Sequence, residues 1–170
     1  VGQKYVDAAG TFDQGKQKSG ANVLANRSLP SAAFGAPQTA GGATDVGFPT
    51  GSFLSLGFKT GTTSHGSIVL DFSDNVVLDE AGADLKIYEV TGGAYPDEKI
   101  RVAVSQDGVS FVTASSSAVR DASIDIAPAG FPWIRYVKIT DISNIALFPN
   151  DGDAYDLDGV EALHCGVLVP

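Results

Sequence analysis

From Gly51 onward the chain alternates apolar and polar residues with a period of two. Ser67 to Phe72 sets Ile68, Leu70 and Phe72 on one face and Ser67, Val69 and Asp71 on the other, the pattern of a half-buried strand. Lys99 to Ser105 directs Ile100, Val102 and Val104 inward, and Ser52 to Phe58 sets Phe53, Ser55 and Gly57 against Leu54, Leu56 and Phe58. Further strands are predicted over Asp84 to Val90, Val109 to Ala114, Ala122 to Ile126, Trp133 to Thr140, and Tyr155 to Val169, the last as one strand or two. Asp107-Gly108 marks a hairpin between Val104 and Val109. Pro96, Pro128, Pro132 and Pro149 fall between these runs, where no ladder donor is needed. No segment sustains a helical period. The Ser115-Ser116-Ser117 run reads as a loop. Many short strands separated by Gly/Pro turns predict an all-β protein, a β-sandwich or jelly roll.

The first 50 residues lack this periodicity. They are rich in Gly, Ala, Ser, Asn and Pro, with Tyr5, Phe12, Leu24, Leu29 and Phe34 as apolar anchors. They read as long loops wrapped against the body. Val23-Leu24 and Ser31 to Phe34 are short strand or turn elements, and roughly the first dozen residues are candidates for terminal disorder. At 170 residues the chain is expected to form a single domain over 1–170, with a loop-rich part at 1–50 and a strand-rich body at 51–170. Val1 to Gly20 has no apolar core of a signal peptide. With no methionine, the chain reads as a mature protein or as a domain cut from a longer one.

A net charge of −9 disfavours nucleic acid and anionic membrane surfaces as partners. It leaves divalent cations and neutral ligands. No apolar run is long enough for a membrane span. Cys165 stands alone, so no intramolecular disulfide is available; it reads as a small buried residue of a closing strand, with a free thiol or an intermolecular link as the alternative. The charge is concentrated in Asn150 to Glu161, where Asp151, Asp153, Asp156, Asp158 and Glu161 fall close together and no Lys or Arg follows Lys138. Clustered carboxylates with glycines for tight turns suit a hard, oxygen-seeking ion, above all Ca²⁺. In a strand entered at Tyr155, Asp156 and Asp158 share a face, with Asp151 and Asp153 in the loop before it. The register is not that of an EF-hand. The alternative is a solvated acidic loop. His65 and His164 have no zinc spacing and no nucleophile motif near them. Trp133, Tyr88, Tyr95 and Tyr155 are aromatic candidates for a sugar platform, with Arg101 and Arg135 as polar partners for a ligand. The alternative for each aromatic is packing in the core or at its rim.

The order of phrases adds a resemblance. Gly66-Ser67-Ile68-Val69-Leu70-Asp71-Phe72, Gly82-Ala83-Asp84-Leu85 through Glu89-Val90, Val102 to Phe111, Arg135 to Asp141, and Tyr155-Asp156-Leu157-Asp158-Gly159-Val160 follow one another over about Leu54 to Leu163. This series resembles a set of bacterial and archaeal secreted or cell-surface modules. Those modules are similar in turn to the galactose-binding-like jelly roll of discoidin-type domains and many carbohydrate-binding modules. The resemblance implies a galactose-binding-like jelly roll with long N-terminal loops, located in a secreted or cell-surface protein. It also adds Asp84 and Glu89 to the metal-ligand candidates, although their odd spacing places them on opposite faces of a regular strand. The expectation is a non-catalytic, calcium-stabilised module binding carbohydrate or cell-surface material. A structural or adhesive spacer is the alternative, and a glycan-active hydrolase the third.

Overall fold

The computed structural model describes residues 4–39, 45, 47–61, 66–90 and 95–167. Twelve strands are formed among them: β1 (Ala8–Asp13), β2 (Leu54–Ser55), β3 (Ser67–Asp71), β4 (Asn75–Leu78), β5 (Leu85–Glu89), β6 (Ile100–Ser105), β7 (Val112–Ala118), β8 (Ser123–Ile124), β9 (Trp133–Ile134), β10 (Tyr136–Asp141), β11 (Asp156–Ala162) and β12 (Cys165–Val167). The helical elements among the described residues are short 3₁₀ turns.

The protein is an all-β sandwich of jelly-roll type. A five-stranded sheet of order β1-β3-β10-β6-β7 faces a four-stranded sheet of order β2-β11-β5-β8, and β12-β4-β9 form a third small sheet. Every pairing is antiparallel. Ile68, Leu70, Val102, Val104, Val137 and Ile139 from the first sheet join Leu85, Ile87, Leu157 and Val160 from the second in one core, each wholly buried. The period-two reading of Ser67 to Phe72 and Lys99 to Ser105 therefore holds to the residue.

Elsewhere the structure departs from expectation, and each departure has a local cause. Ala8–Asp13 is an edge strand that the sequence pattern missed, because a bulge between Ala9 and Phe12 interrupts its alternation. The N-terminal segment packs on the body: Tyr5 bridges to Glu161, and Val6 is fully buried and donates its N–H to the Val160 carbonyl. β4 was missed because Asn75-Val76-Val77 is buried on both faces and shows no alternation. The 107–108 turn is a longer loop. The Asp107 carboxylate accepts from the N–H groups of Val109 and Ser110, which delays the next strand to Val112. That strand carries the serine run predicted as a loop. It is a mostly exposed edge strand, where small polar side chains cost little.

Ser52 to Phe58 is buried throughout and forms only a two-residue strand. Its backbone crosses that of Gly15 and Gly66 at close range. Gly57, at φ 79°, has space for no side chain: a Cβ there would lie 2.5 Å from the Gly15 carbonyl carbon. Gly82 has a similar φ of 98° but faces open space. Gly57→Ala combines backbone strain with overpacking and is expected to cost about 3–5 kcal/mol. Gly82→Ala should cost about 1–2 kcal/mol, from strain alone. Denaturant unfolding of the two variants checks the difference.

Candidate metal centre

Three strands continue their inward-facing rows into acidic residues. Glu89 follows Leu85 and Ile87 on β5. Glu98 precedes Ile100, Val102 and Val104 at the start of β6. Asp141 follows Val137 and Ile139 on β10. Strand pairing puts these ends together: Asp141 lies opposite Ile100, and Glu89 opposite Leu157, beside Asp156. One end of the core is thus closed by carboxyl groups, with Asp153 supplied by the loop before β11. That loop is set by a turn at Gly152 and by Ala154 in the left-handed region at φ 67°. The carbonyls of Asp153 and Tyr155 are held by the N–H groups of Gly57 and Leu56.

The acids interact strongly. Glu89 and Glu98, 6% and 4% exposed, lie within hydrogen-bonding reach of each other, yet Glu89 Oε1 and Glu98 Oε2 have no partner. Glu98 also feels the charges of Asp156, Glu89 and Asp141. Carboxylate oxygens of Asp45, Asp153 and Asp156 lie within 4.8 Å of one another. Ser55 Oγ donates to Asp156, while the Arg27 guanidinium bonds Asp45 at 2.6 Å and Asp153 at 3.4 Å. Burial disfavours the charged forms. It pushes Glu89 up to about 7, Asp141 to about 7 against the Ser143 hydrogen bonds, and Asp153 to about 6 against the Arg27 charge. Asp156 is raised well above the carboxylate range by burial and then by the Asp153 charge. Glu98 is raised by burial and then by its hydrogen bond to Glu89. A cleft of about 290 Å³ opens over this cluster, lined by Arg27, Asp45, Tyr95, Glu98, Asp151, Asp153 and Asp156 among others.

Of the six predicted ligands, Asp151, Asp153 and Asp156 line this cleft, and Glu89 joins them through Glu98. The other two are taken up by protein donors. Asp158 accepts from Gln38 N, Thr39 N and Thr39 Oγ1, which ties the N-terminal segment to β11. Asp84 accepts from Glu80 N and Ile126 N and meets His164 Nδ1 at 3.0 Å. Asp79 and Asp125 lie close to Asp84, and Asp125 caps the N–H of Ala127. Glu98, Asp141 and Asp45 were missed by the sequence reading. Glu98 is flanked by Asp97 and Lys99 and looks like a solvated turn, although its parity with Ile100 marks it as inward-facing.

The four ligand-binding candidates are dispersed. Tyr88 is on the four-stranded sheet and donates its hydroxyl to Glu161 at 2.5 Å. Arg101 is exposed opposite Thr140, while Arg135 sits beyond the other end of β10 and forms a two-pronged pair with Asp71 at 2.7 and 2.9 Å. Trp133 is half-buried on β9, and its carbonyl accepts from Gln106. Tyr155 is wholly buried. His65 lies outside the described residues.

No protein-family model and no curated protein matches the chain. Solved structures similar to it include the C-terminal domain of a chitobiase from Bacteroides fragilis, at 13% identity and a TM-score of 0.49 over 97% of this chain and 99% of that one. CpGH89CBM32-6 produced by Clostridium perfringens is 11% identical at a TM-score of 0.33, over 61% of this chain and 72% of that one. A family 89 glycoside hydrolase from Clostridium perfringens is 15% identical at a TM-score of 0.39, over 74% of this chain and 14% of that one. At these similarities the reading of the site rests on its own geometry.

The raised acids give the metal-free protein a pH signature. Between the ordinary carboxylate range and about 7, the folded state holds protons that the unfolded chain has lost. Stability therefore falls as pH rises from about 5 to about 7. Thermal melts in EDTA across that range should show a declining melting temperature.

Proposed function

We propose that the chain is a non-catalytic binding module of a secreted or cell-surface protein, stabilised by calcium and directed at carbohydrate. The observation that carries the calcium reading is the pair of partnerless, buried carboxylate oxygens on Glu89 and Glu98, beside Asp153 and Asp156. Hard oxygen donors in this number suit Ca²⁺. A buried carboxylate oxygen left without a hydrogen-bond donor is costly, and at Glu89 the nearby Arg120 charge and the Asp156 N–H do not outweigh burial. Glu89, Glu98, Asp153 and Asp156 would hold the ion, and the chemistry it supplies is charge compensation. These residues would then link the ends of β5, β6 and β11 to the loop before β11.

The non-catalytic part is supported by spacing. Carboxyl groups that flank a glycosidic bond stand about 5 Å apart or more, whereas Glu89 and Glu98 hydrogen-bond to one another. The carbohydrate and surface parts rest on the resemblance of the strand phrases. No helix among the described residues is long and apolar enough to cross a membrane.

Calorimetric titration of EDTA-treated protein with CaCl₂ tests the metal reading. Saturating calcium, about a hundredfold above Kd, is expected to stabilise the fold by about 2.7 kcal/mol, a rise of roughly 5–10 °C in melting temperature. Mg²⁺ should not substitute. Glu98→Gln and Asp156→Asn should abolish the calcium heat. Asp74→Asn, beyond β3 at the opposite end of the sandwich, should leave it intact. Melting curves indifferent to calcium, or equal loss in all three variants, would sink the proposal.

A further inference from the structure

The cleft over the acidic cluster is far larger than a metal ion requires. It holds about 290 Å³, against about 30 Å³ for a water molecule in bulk. Small-molecule pockets begin at about 300 Å³, so the space suits one ring and not an extended chain. It is also a built site. Glu98, 4% exposed, lines it with a partnerless carboxylate oxygen.

Its walls differ in character. One is formed by Leu24, 53% exposed, with Pro149 and Tyr95. Tyr95 is held edge-on against Phe148 at 5.5 Å, and Phe148 packs on Phe58 at 5.0 Å. The tyrosine ring is thereby braced from behind, as a stacking platform must be. Gln17, Arg27 and Asp151 line the same space; Arg27 carries a buried, partnerless Nε–H and Asp151 offers an acceptor. Leu24 and Asp151 are exposed, so both can be approached from solvent.

Charge narrows the guest. Among the described residues, five carboxyl groups and one guanidinium line the cleft. Carboxylates outnumber positive charges even with a divalent ion present, so an anionic guest is repelled. A guest rich in hydroxyl groups supplies the donors that carboxylates accept and the acceptors that Arg27 and Gln17 need, while its C–H face covers Leu24 and Tyr95.

We propose that this cleft is a carbohydrate subsite for a single neutral sugar ring, laid against Tyr95 and Leu24 and hydrogen-bonded by Gln17, Arg27 and Asp151. The inference rests on the carbohydrate-binding reading above and assigns it a place, away from Trp133, Tyr88, Arg101 and Arg135.

The test uses the whole chain on an array of neutral, amino and acidic mono- and disaccharides, with affinities for the best-bound glycan measured by calorimetry. Neutral sugars should be retained and uronic or sialic acids rejected. Leu24→Trp, which fills the opening, and the double variant Gln17→Ala/Asp151→Ala, which removes polar contacts, should each weaken binding at least tenfold. Leu24→Trp should keep the wild-type calcium heat, both should keep the wild-type melting temperature, and the double variant covers the case in which Leu24→Trp folds poorly. Undiminished binding in both variants, preference for acidic glycans, or no glycan bound by a chain that titrates calcium normally would each overturn the subsite. Absent calcium heat with glycan binding that both variants lose would instead defeat the metal reading and leave the subsite standing.

Discussion

A carboxyl group placed in an apolar core must be neutralised, paired or protonated. This protein places several at one end of its sandwich. Glu89, Glu98 and Asp141 continue the same inward rows that supply Ile87, Ile100 and Ile139, so they cannot turn to solvent without changing strand register. A one-residue slip would expose the whole apolar set of a strand. The core therefore holds the acids in place, and their electrostatic cost falls on the region where both sheets end. The loop from Pro149 to Tyr155 and the N-terminal segment around Arg27 are packed over that region.

The other buried carboxylates show how the fold satisfies an acid when no ion is needed. Asp158 takes two N–H groups and a hydroxyl from Gln38 and Thr39. Asp84 takes two N–H groups and faces His164. Such hydrogen bonds replace the water that burial removes. At Glu98 the chain supplies a second acid, Glu89, in place of a donor, while Glu89 itself has the Asp156 N–H and the Arg120 charge nearby. The contrast separates structural acids from candidate ligands more sharply than burial, since Asp84, Asp158, Glu89 and Glu98 are all buried.

Much of the fold was legible because period-two alternation survives wherever a strand has one dry face: Ile68 and Leu70, and Ile100, Val102 and Val104, fell where expected. It failed where that condition fails. Asn75–Leu78 and Ser52–Phe58 are buried on both faces, and Ala8–Asp13 is an edge strand bent by a bulge. The site was legible by half. Asp153 and Asp156 stand in a conspicuous acidic run, but density alone could not separate them from Asp158. Glu98 hid among neighbouring charges, and only its parity with Ile100 betrays it. Asp45 comes from a distant stretch and reaches the cluster through tertiary structure, which no local pattern encodes.

Arg27 shows how the N-terminal segment is bound into this electrostatic problem. Its guanidinium, 12% exposed, stacks over Phe53 at 4.8 Å and bonds Asp45 and Asp153. The planar fork of arginine can serve two carboxylates while its face lies on an aromatic ring. It arrives from a 3₁₀ turn at Ala25–Arg27, within a segment fastened below by Lys16 pairing to Phe58 and above by Asp158 holding Gln38 and Thr39. A single positive charge cannot balance Asp45, Asp153 and Asp156 together, and it is too tethered to reach Glu89 and Glu98 as well. The wrap around the body therefore does more than cover apolar surface. It brings one fixed cation to the outer carboxylates; of the inner pair, Glu89 has the Arg120 charge nearby, and Glu98 is left to a proton or to a mobile cation.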